Sequence, residues 1–118
     1  MEGIEEYLQN GMALKTEGRY DEAAAEFLKV LSANSGHDEA HRQLGLVYGF
    51  TGLFDESIEE LKLAVKLNPD NLMARNDLAM TYAMLGMCDE AKEEFAYVLQ
   101  VDPSNEVARR EIVYFCGE

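Results

Sequence analysis

Apolar residues recur along this chain at helical spacing, in two alternating stripes. Ala40, Leu44, Val47, Tyr48 and Thr51 form one stripe, and Ile58, Leu61, Ala64, Val65 and Leu67 form another. Both follow the 3.6-residue period of an amphipathic helix. Gly52-Leu53-Phe54 interrupts them, and glycine there can take the positive φ that closes a helix. Asp55 and Glu56 follow in the next first turn, where the helix dipole favours acids. Asn68-Pro69-Asp70 ends the pair, because proline disfavours helical geometry in the residue before it. The pattern predicts helices near 3–17, 20–33, 37–51, 54–67, 71–85, 88–101 and 105–116.

The same pattern repeats every 34 residues. Asp21-Glu22-Ala23 returns as Asp55-Glu56-Ser57 and Asp89-Glu90-Ala91. Gly18, Gly52 and Gly86 precede these, and Phe27, Leu61 and Phe95 follow, as do Val30, Ala64 and Val98. Such an echo is the mark of stacked supersecondary units, each burying its apolar face against its neighbour. The units run 4–37, 38–71 and 72–105, with a seventh helix over 106–116. Ile112 sits where Leu44 and Leu78 sit, so that helix reads as the first half of a fourth unit. A terminal cap should be polar outside. Arg109, Arg110 and Glu111 suit that role, whereas Val113, Tyr114 and Phe115 imply inward packing, a longer array or a contact with another copy.

These positions resemble the tetratricopeptide repeat. Its signature has a large residue, a leucine-glycine pair and a tyrosine, then alanine, an aromatic and proline. The second unit has Leu44-Gly45, Tyr48, Ser57, Leu61 and Pro69; the third has Leu78-Ala79, Tyr82, Ala91, Phe95 and Pro103. The first has Asn10-Gly11, Leu14, Ala23 and Phe27. Small residues at Gly11, Gly45 and Ala79, opposite Ala23, Ser57 and Ala91, would let paired helices approach closely. The large first residue is Tyr7, His41 and Arg75, never tryptophan, and Cys88 replaces the aromatic of Tyr20 and Phe54. The fold implied is all-α: a right-handed α-solenoid of three helix-turn-helix units with a seventh capping helix, one domain over residues 1–118.

The resemblance also implies a protein-binding module. In this family the first helix of each unit lines a concave groove that takes partner peptides. One column of that face would be Gln9, Gln43, Asp77 and Glu111; another is Met12, Leu46, Met80 and Tyr114. Thr16, Phe50 and Met84 lie further along, with Gly49 and Ala83 beside them. Leu8, Arg42, Asn76 and Arg110 lie nearer the helix starts, with Glu5, Glu39, Met73 and Val107. The expected partner-binding set is Leu8, Gln9, Met12, Gln43, Leu46, Phe50, Met73, Asn76, Asp77, Met80 and Met84. Methionine is over-used at surfaces that accept varied apolar partners, so an apolar or amphipathic segment is the expected ligand. Phe50 would be a rigid anchor with room beside Gly49, and Gln9, Gln43, Asn76 and Asp77 could bond a peptide backbone. Some family members clamp chaperone C-terminal carboxylates with lysine, asparagine and arginine. Those positions here hold Leu8, Met12, Gln43, Met73 and Asp77, none cationic, so acidic chaperone tails are not expected to bind. Covering roughly 400 Å² of apolar surface gains about 10 kcal/mol at ~25 cal/mol per Å². Lost freedom costs ~4–15 kcal/mol, so binding is expected to be weak to micromolar unless polar anchors add. The alternative is a self-associating scaffold built through the same face or the last helix.

Composition narrows the partners. The formal net charge of −13 opposes nucleic acid, whose phosphates need a basic footprint, and anionic membranes. It leaves a solvated acidic surface or attraction for a basic partner. No apolar run approaches the ~18 residues of a membrane span. The start, Met-Glu-Gly-Ile-Glu-Glu, lacks the features of a secretory leader, so a cytoplasmic location is expected. Cys88 and Cys116 form no CxxC pair and are expected to be reduced, with Cys88 a small buried hydrophobe. His37 and His41 are four apart, but no third metal ligand beyond Asp38 is evident. Glu59-Glu60 and Glu93-Glu94 are expected to be solvated charge on outward helices. No phosphate loop, dinucleotide fingerprint or nucleophile elbow occurs, so neither catalysis nor a cofactor is expected.

Overall fold

The computed structural model of the chain describes residues 3–116, with side chains placed through Ile112. Among these residues there are seven helices and no strand: α1 (Ile4–Thr16), α2 (Tyr20–Ala33), α3 (Asp38–Phe50), α4 (Phe54–Leu67), α5 (Leu72–Met84), α6 (Cys88–Val101) and α7 (Glu106–Cys116). Helices α2, α4 and α6 match the sequence expectation. Helices α1, α3 and α5 are one residue shorter at each end, because the outermost residues there act as caps. At α3 and α5 the cap is a side chain: His37 Nδ1 accepts from the Ala40 N–H at 3.1 Å, and Asn71 Oδ1 from the Ala74 N–H at 3.2 Å. Each satisfies a backbone donor that the helix itself leaves unpaired.

The stops are built alike three times. Gly18, Gly52 and Gly86 have φ of 82°, 84° and 79°, where a side chain would be strained. The N–H of each bonds a carbonyl three residues back, and the following N–H reaches the carbonyl of Leu14, Tyr48 or Tyr82. This is the Schellman closure of a helix C-terminus. It turns the chain within a few residues, so each first helix is followed at once by its partner.

The chain separates into two compact units, Met1–Pro69 and Asp70–Glu118. In the first, α1 packs on α2, α2 on α3, and α3 on α4. Leu8, Ala23, Phe27, Val30, Ala40, Leu44 and Val47 form its core. Glycine permits the close approach: a Cβ on Gly11 would lie 2.5 Å from the Phe27 ring, and one on Gly45 would lie 2.9 Å from Leu61 Cγ. The Ser57 hydroxyl, in the place of an alanine, donates to the Gly45 carbonyl at 2.7 Å.

In the second unit α5 packs on α6, and α7 packs on both. Ala74, Leu78, Ala79, Ala91, Phe95, Val98 and Ala108 are buried. Arg109 and Arg110 are exposed, as a cap requires. Glu111 departs from that expectation: it is buried, its carboxylate accepting from Arg110 Nε at 3.0 Å. The residues Val113, Tyr114 and Phe115 lie outside those whose side chains are described.

Candidate functional site

The first helices of the first unit, α1 and α3, meet through a polar chain. Lys15 Nζ donates to Gln43 Oε1 at 2.6 Å, and Gln43 Nε2 donates to Glu39 Oε2 at 2.7 Å. Arg42 also donates to Glu39, at 3.0 Å. Gln43 is therefore buried and committed on both sides of its amide. Leu8 is buried too, as part of the core at 6% exposure. Gln9 is exposed and donates to Glu5 at 2.9 Å. Met12 and Leu46 are half-buried, with Met12 packed against the core. Phe50 is 59% exposed, yet its ring lies on Tyr20 with centroids 5.5 Å apart. Such a contact holds an exposed ring in place. A Cβ on Gly49 would meet the Ser57 hydroxyl of α4 at 3.4 Å. Gly49 thus faces the paired helix, which corrects the expectation of open room there.

In the second unit, α5 exposes Met73 and Met84, at 60% and 59%. Met80 and Asp77 are half-buried. Asn76 is buried; its Nδ2 donates to Asn105 Oδ1 at 3.1 Å, while its Oδ1 has no hydrogen-bond partner among the described residues. Asn105 Oδ1 also accepts from the Ala108 N–H at 3.0 Å, so Asn76 ties α5 to the start of α7.

A tetratricopeptide repeat model matches residues 8–71. The chain belongs to the tetratricopeptide repeat family. Its all-α fold is that of solved tetratricopeptide repeat domains. The first such domain of Spaghetti (RPAP3), bound to the HSP90 peptide SRMEEVD, has a TM-score of 0.90 at 23% identity, covering 96% of this chain and 90% of that one. The second domain of human RPAP3, in complex with the HSP70 peptide SGPTIEEVD, has a TM-score of 0.87 at 20% identity, covering 98% and 100%. The Arabidopsis OM64 domain has a TM-score of 0.89 at 15% identity, covering 96% and 93%. Among curated proteins, none matches the sequence. No helix among the described residues is long and apolar enough to cross a membrane.

The first signature position of each tetratricopeptide repeat is where sequence reading fell furthest short. Residues 7, 41 and 75 are tyrosine, histidine and arginine in place of tryptophan. Tyr7 sits beside a cation–carboxylate pair, while His41 and Arg75 each meet a glutamate themselves. Lys29 lies over the Tyr7 ring, 5.3 Å from its centroid, and bonds Glu26 at 2.8 Å. His41 Nδ1 lies 2.7 Å from Glu60. Arg75 lies 3.6 Å from the Tyr97 ring centroid and bonds Glu94 at 3.0 Å. Glu60 and Glu94 are therefore half-buried partners, not the solvated charge expected of them; their neighbours Glu59 and Glu93 are exposed. The signal was available: Glu26, Glu60 and Glu94 recur at 34 residues, each 19 after residues 7, 41 and 75.

The carboxylates reach two signature tyrosines as well. Burial, then the charges of Glu60 and Glu56, raises the Tyr48 phenol above its ordinary value. Burial, then Glu94, Glu90 and Glu93, does the same for Tyr82. On the surface, hydrogen bonds with Glu22 and then Glu17 raise Arg19, and the bond from Arg19 lowers Glu22. His37 and His41 are engaged with a helix start and with Glu60, and no group of three metal-ligating side chains occurs among the described residues. Cys88 is half-buried and disulfide-bonded, which corrects the expectation of a reduced, buried thiol. The side chain of Cys116 lies outside the described residues.

Proposed function

We propose that this tetratricopeptide repeat protein is an interaction module that takes an apolar or amphipathic segment of another protein on the faces of its first helices. In the first unit the contact residues are Gln9, Met12, Leu46 and Phe50. In the second they are Met73, Asp77, Met80 and Met84. Leu8, Gln43 and Asn76 act from beneath, as core and as polar ties. The observation that carries this reading is Phe50, a large exposed ring already held by Tyr20. A pre-placed aromatic loses little freedom on binding, which is how a modest apolar face acquires useful affinity.

The ligand differs from the acidic peptides carried by the RPAP3 domains. The positions that would clamp a carboxylate hold Leu8, Met12, Gln43, Met73 and Asp77. The nearby cations Lys15 and Arg42 are engaged with Gln43 and Glu39. A net charge of −13 favours a segment whose polar side is basic.

Calorimetric titration tests this with two probes: a basic amphipathic helical peptide and an acidic peptide ending in Glu-Glu-Val-Asp. The basic peptide is expected to bind, and Phe50→Glu to weaken it about tenfold or more, ~1.4 kcal/mol. The acidic peptide is expected to give no heat. Binding of the acidic peptide alone, or equal binding by Phe50→Glu, overturns the proposal. A molecular mass that rises with concentration would instead favour self-association through the same surface.

A further inference from the structure

His41 is 8% exposed and has an acceptor at each ring nitrogen. Nδ1 is 2.7 Å from Glu60 Oε1, and Nε2 is 2.8 Å from the Ser35 carbonyl oxygen. A carbonyl oxygen only accepts, and so does an ionised carboxylate. A neutral imidazole carries one N–H, which serves one of these contacts and leaves lone pair facing lone pair at the other. Both contacts are satisfied only when the histidine–glutamate pair holds one further proton, as imidazolium beside carboxylate. In that form each ring nitrogen donates, one to Glu60 and one to the Ser35 carbonyl.

We propose that His41 and Glu60 form a proton-operated clasp that joins α3, α4 and the α2–α3 connection, closed when the pair holds its extra proton and open when it is lost.

Three features support this beyond the two distances. First, the clasp spans three elements: His41 on α3, Glu60 on α4, and Ser35 in the connection. Losing either contact removes one tie between these elements. Second, the ring is buried and both of its contacts are part-buried, so an unmet contact there carries a cost. Third, the equivalent places hold side chains that keep one charge state near neutral pH: Tyr7, with Lys29 over its ring, and Arg75, paired with Glu94. Only the middle repeat fills the place with a side chain that titrates near neutral pH. Three parts of the chain bring groups to the ring or near it. Glu60 faces the ring from α4. The Ser35 carbonyl faces it from the connection. On α3 itself, the His37 carbonyl takes the His41 backbone N–H, Arg42 turns to Glu39, and Tyr48 lies within the influence of Glu60 and Glu56.

The sign follows from proton counting. Both acceptors are met only while both ring nitrogens carry a proton, so the clasp is closed at the acid end and stability is expected to fall as pH rises.

The test uses the full chain between about pH 5.5 and 8.5, the range over which histidine changes charge. Ring-nitrogen NMR is recorded on a His37→Asn background, where asparagine can still cap α3 and His41 is the one remaining histidine. Thermal unfolding is followed in parallel for wild type, His41→Arg and Glu60→Gln. Both His41 nitrogens are expected to be protonated at the acid end, with one losing its proton as pH rises. The wild-type unfolding temperature is expected to fall over that range. His41→Arg, which places the Arg75 solution in the middle repeat, should lose that component of the fall, as should Glu60→Gln. Equal pH slopes in wild type and His41→Arg would overturn the clasp. So would one bare His41 nitrogen across the whole range, a result that needs no variant of His41 to fold.

Discussion

Gly11 and Gly49 are both helical glycines on first helices, and they differ sharply in what surrounds them. A methyl group on Gly11 would lie 2.5 Å from the ring of Phe27, which is wholly buried and has nowhere to move. Gly11→Ala is expected to cost about 1–3 kcal/mol, as overpacking does, read from the midpoint of urea unfolding. The same change at Gly49 meets only the Ser57 hydroxyl at 3.4 Å, an ordinary contact. There alanine's better helix propensity, worth about 1 kcal/mol over glycine, should leave stability unchanged or raised. The sequence marked Gly11 as a close-approach position but placed Gly49 beside a ligand, because a helical glycine looks the same in one dimension whichever way it faces. Tyr48 and Tyr82 supply a pH prediction. Their phenols are raised chiefly by burial, so both should ionise later than exposed tyrosines in an alkaline absorbance titration. The folded state favours the neutral phenol. Its contribution is fully present below the unfolded-state value and is lost as pH rises through the higher folded one. Tyr48→Phe should remove part of the late-ionising signal; an unchanged late fraction would contradict the assignment.

Helices are held at their ends and along one edge. Asn71 caps α5 by accepting from the Ala74 N–H, so Asn71→Ala is expected to cost ~1 kcal/mol, measured by chemical denaturation. Arg75 lies over the Tyr97 ring, 3.6 Å from its centroid, and also makes an ion pair with Glu94. Arg75→Lys keeps the charge and loses the guanidinium face, for an expected loss of ~0.5–2 kcal/mol; no change would mean that charge alone matters there. Element existence and order were legible in the sequence because the glycine closures, acidic first turns and proline stops each act locally. The edge pairs were not read, because a glutamate on a second helix looks solvated until the facing helix is known. Helical periodicity assigns a residue to a face, and the partner on that face comes from another element.

For the whole molecule, charge is the dominant quantity read from the sequence. With a net charge of −13, affinity for the basic amphipathic peptide should fall as salt is raised. Screening shortens the reach of such attraction to ~8 Å at physiological ionic strength. The apolar share of binding should persist in high salt, so a complete loss there would assign the interaction to charge alone. The family was legible too, because a 34-residue echo of small, aromatic and turn-forming residues is a pattern of spacing. That echo determined seven helices, their order and their pairing, since each signal acts within a few residues of chain. Which faces stay open was decided only in three dimensions. Leu8 joins the core and Phe50 does not, although both sit on first helices. Gln43 spends its amide on Lys15 and Glu39, and His41 meets Ser35 and Glu60. Burial and hydrogen bonding are properties of neighbours, and most of those neighbours lie far away in the sequence.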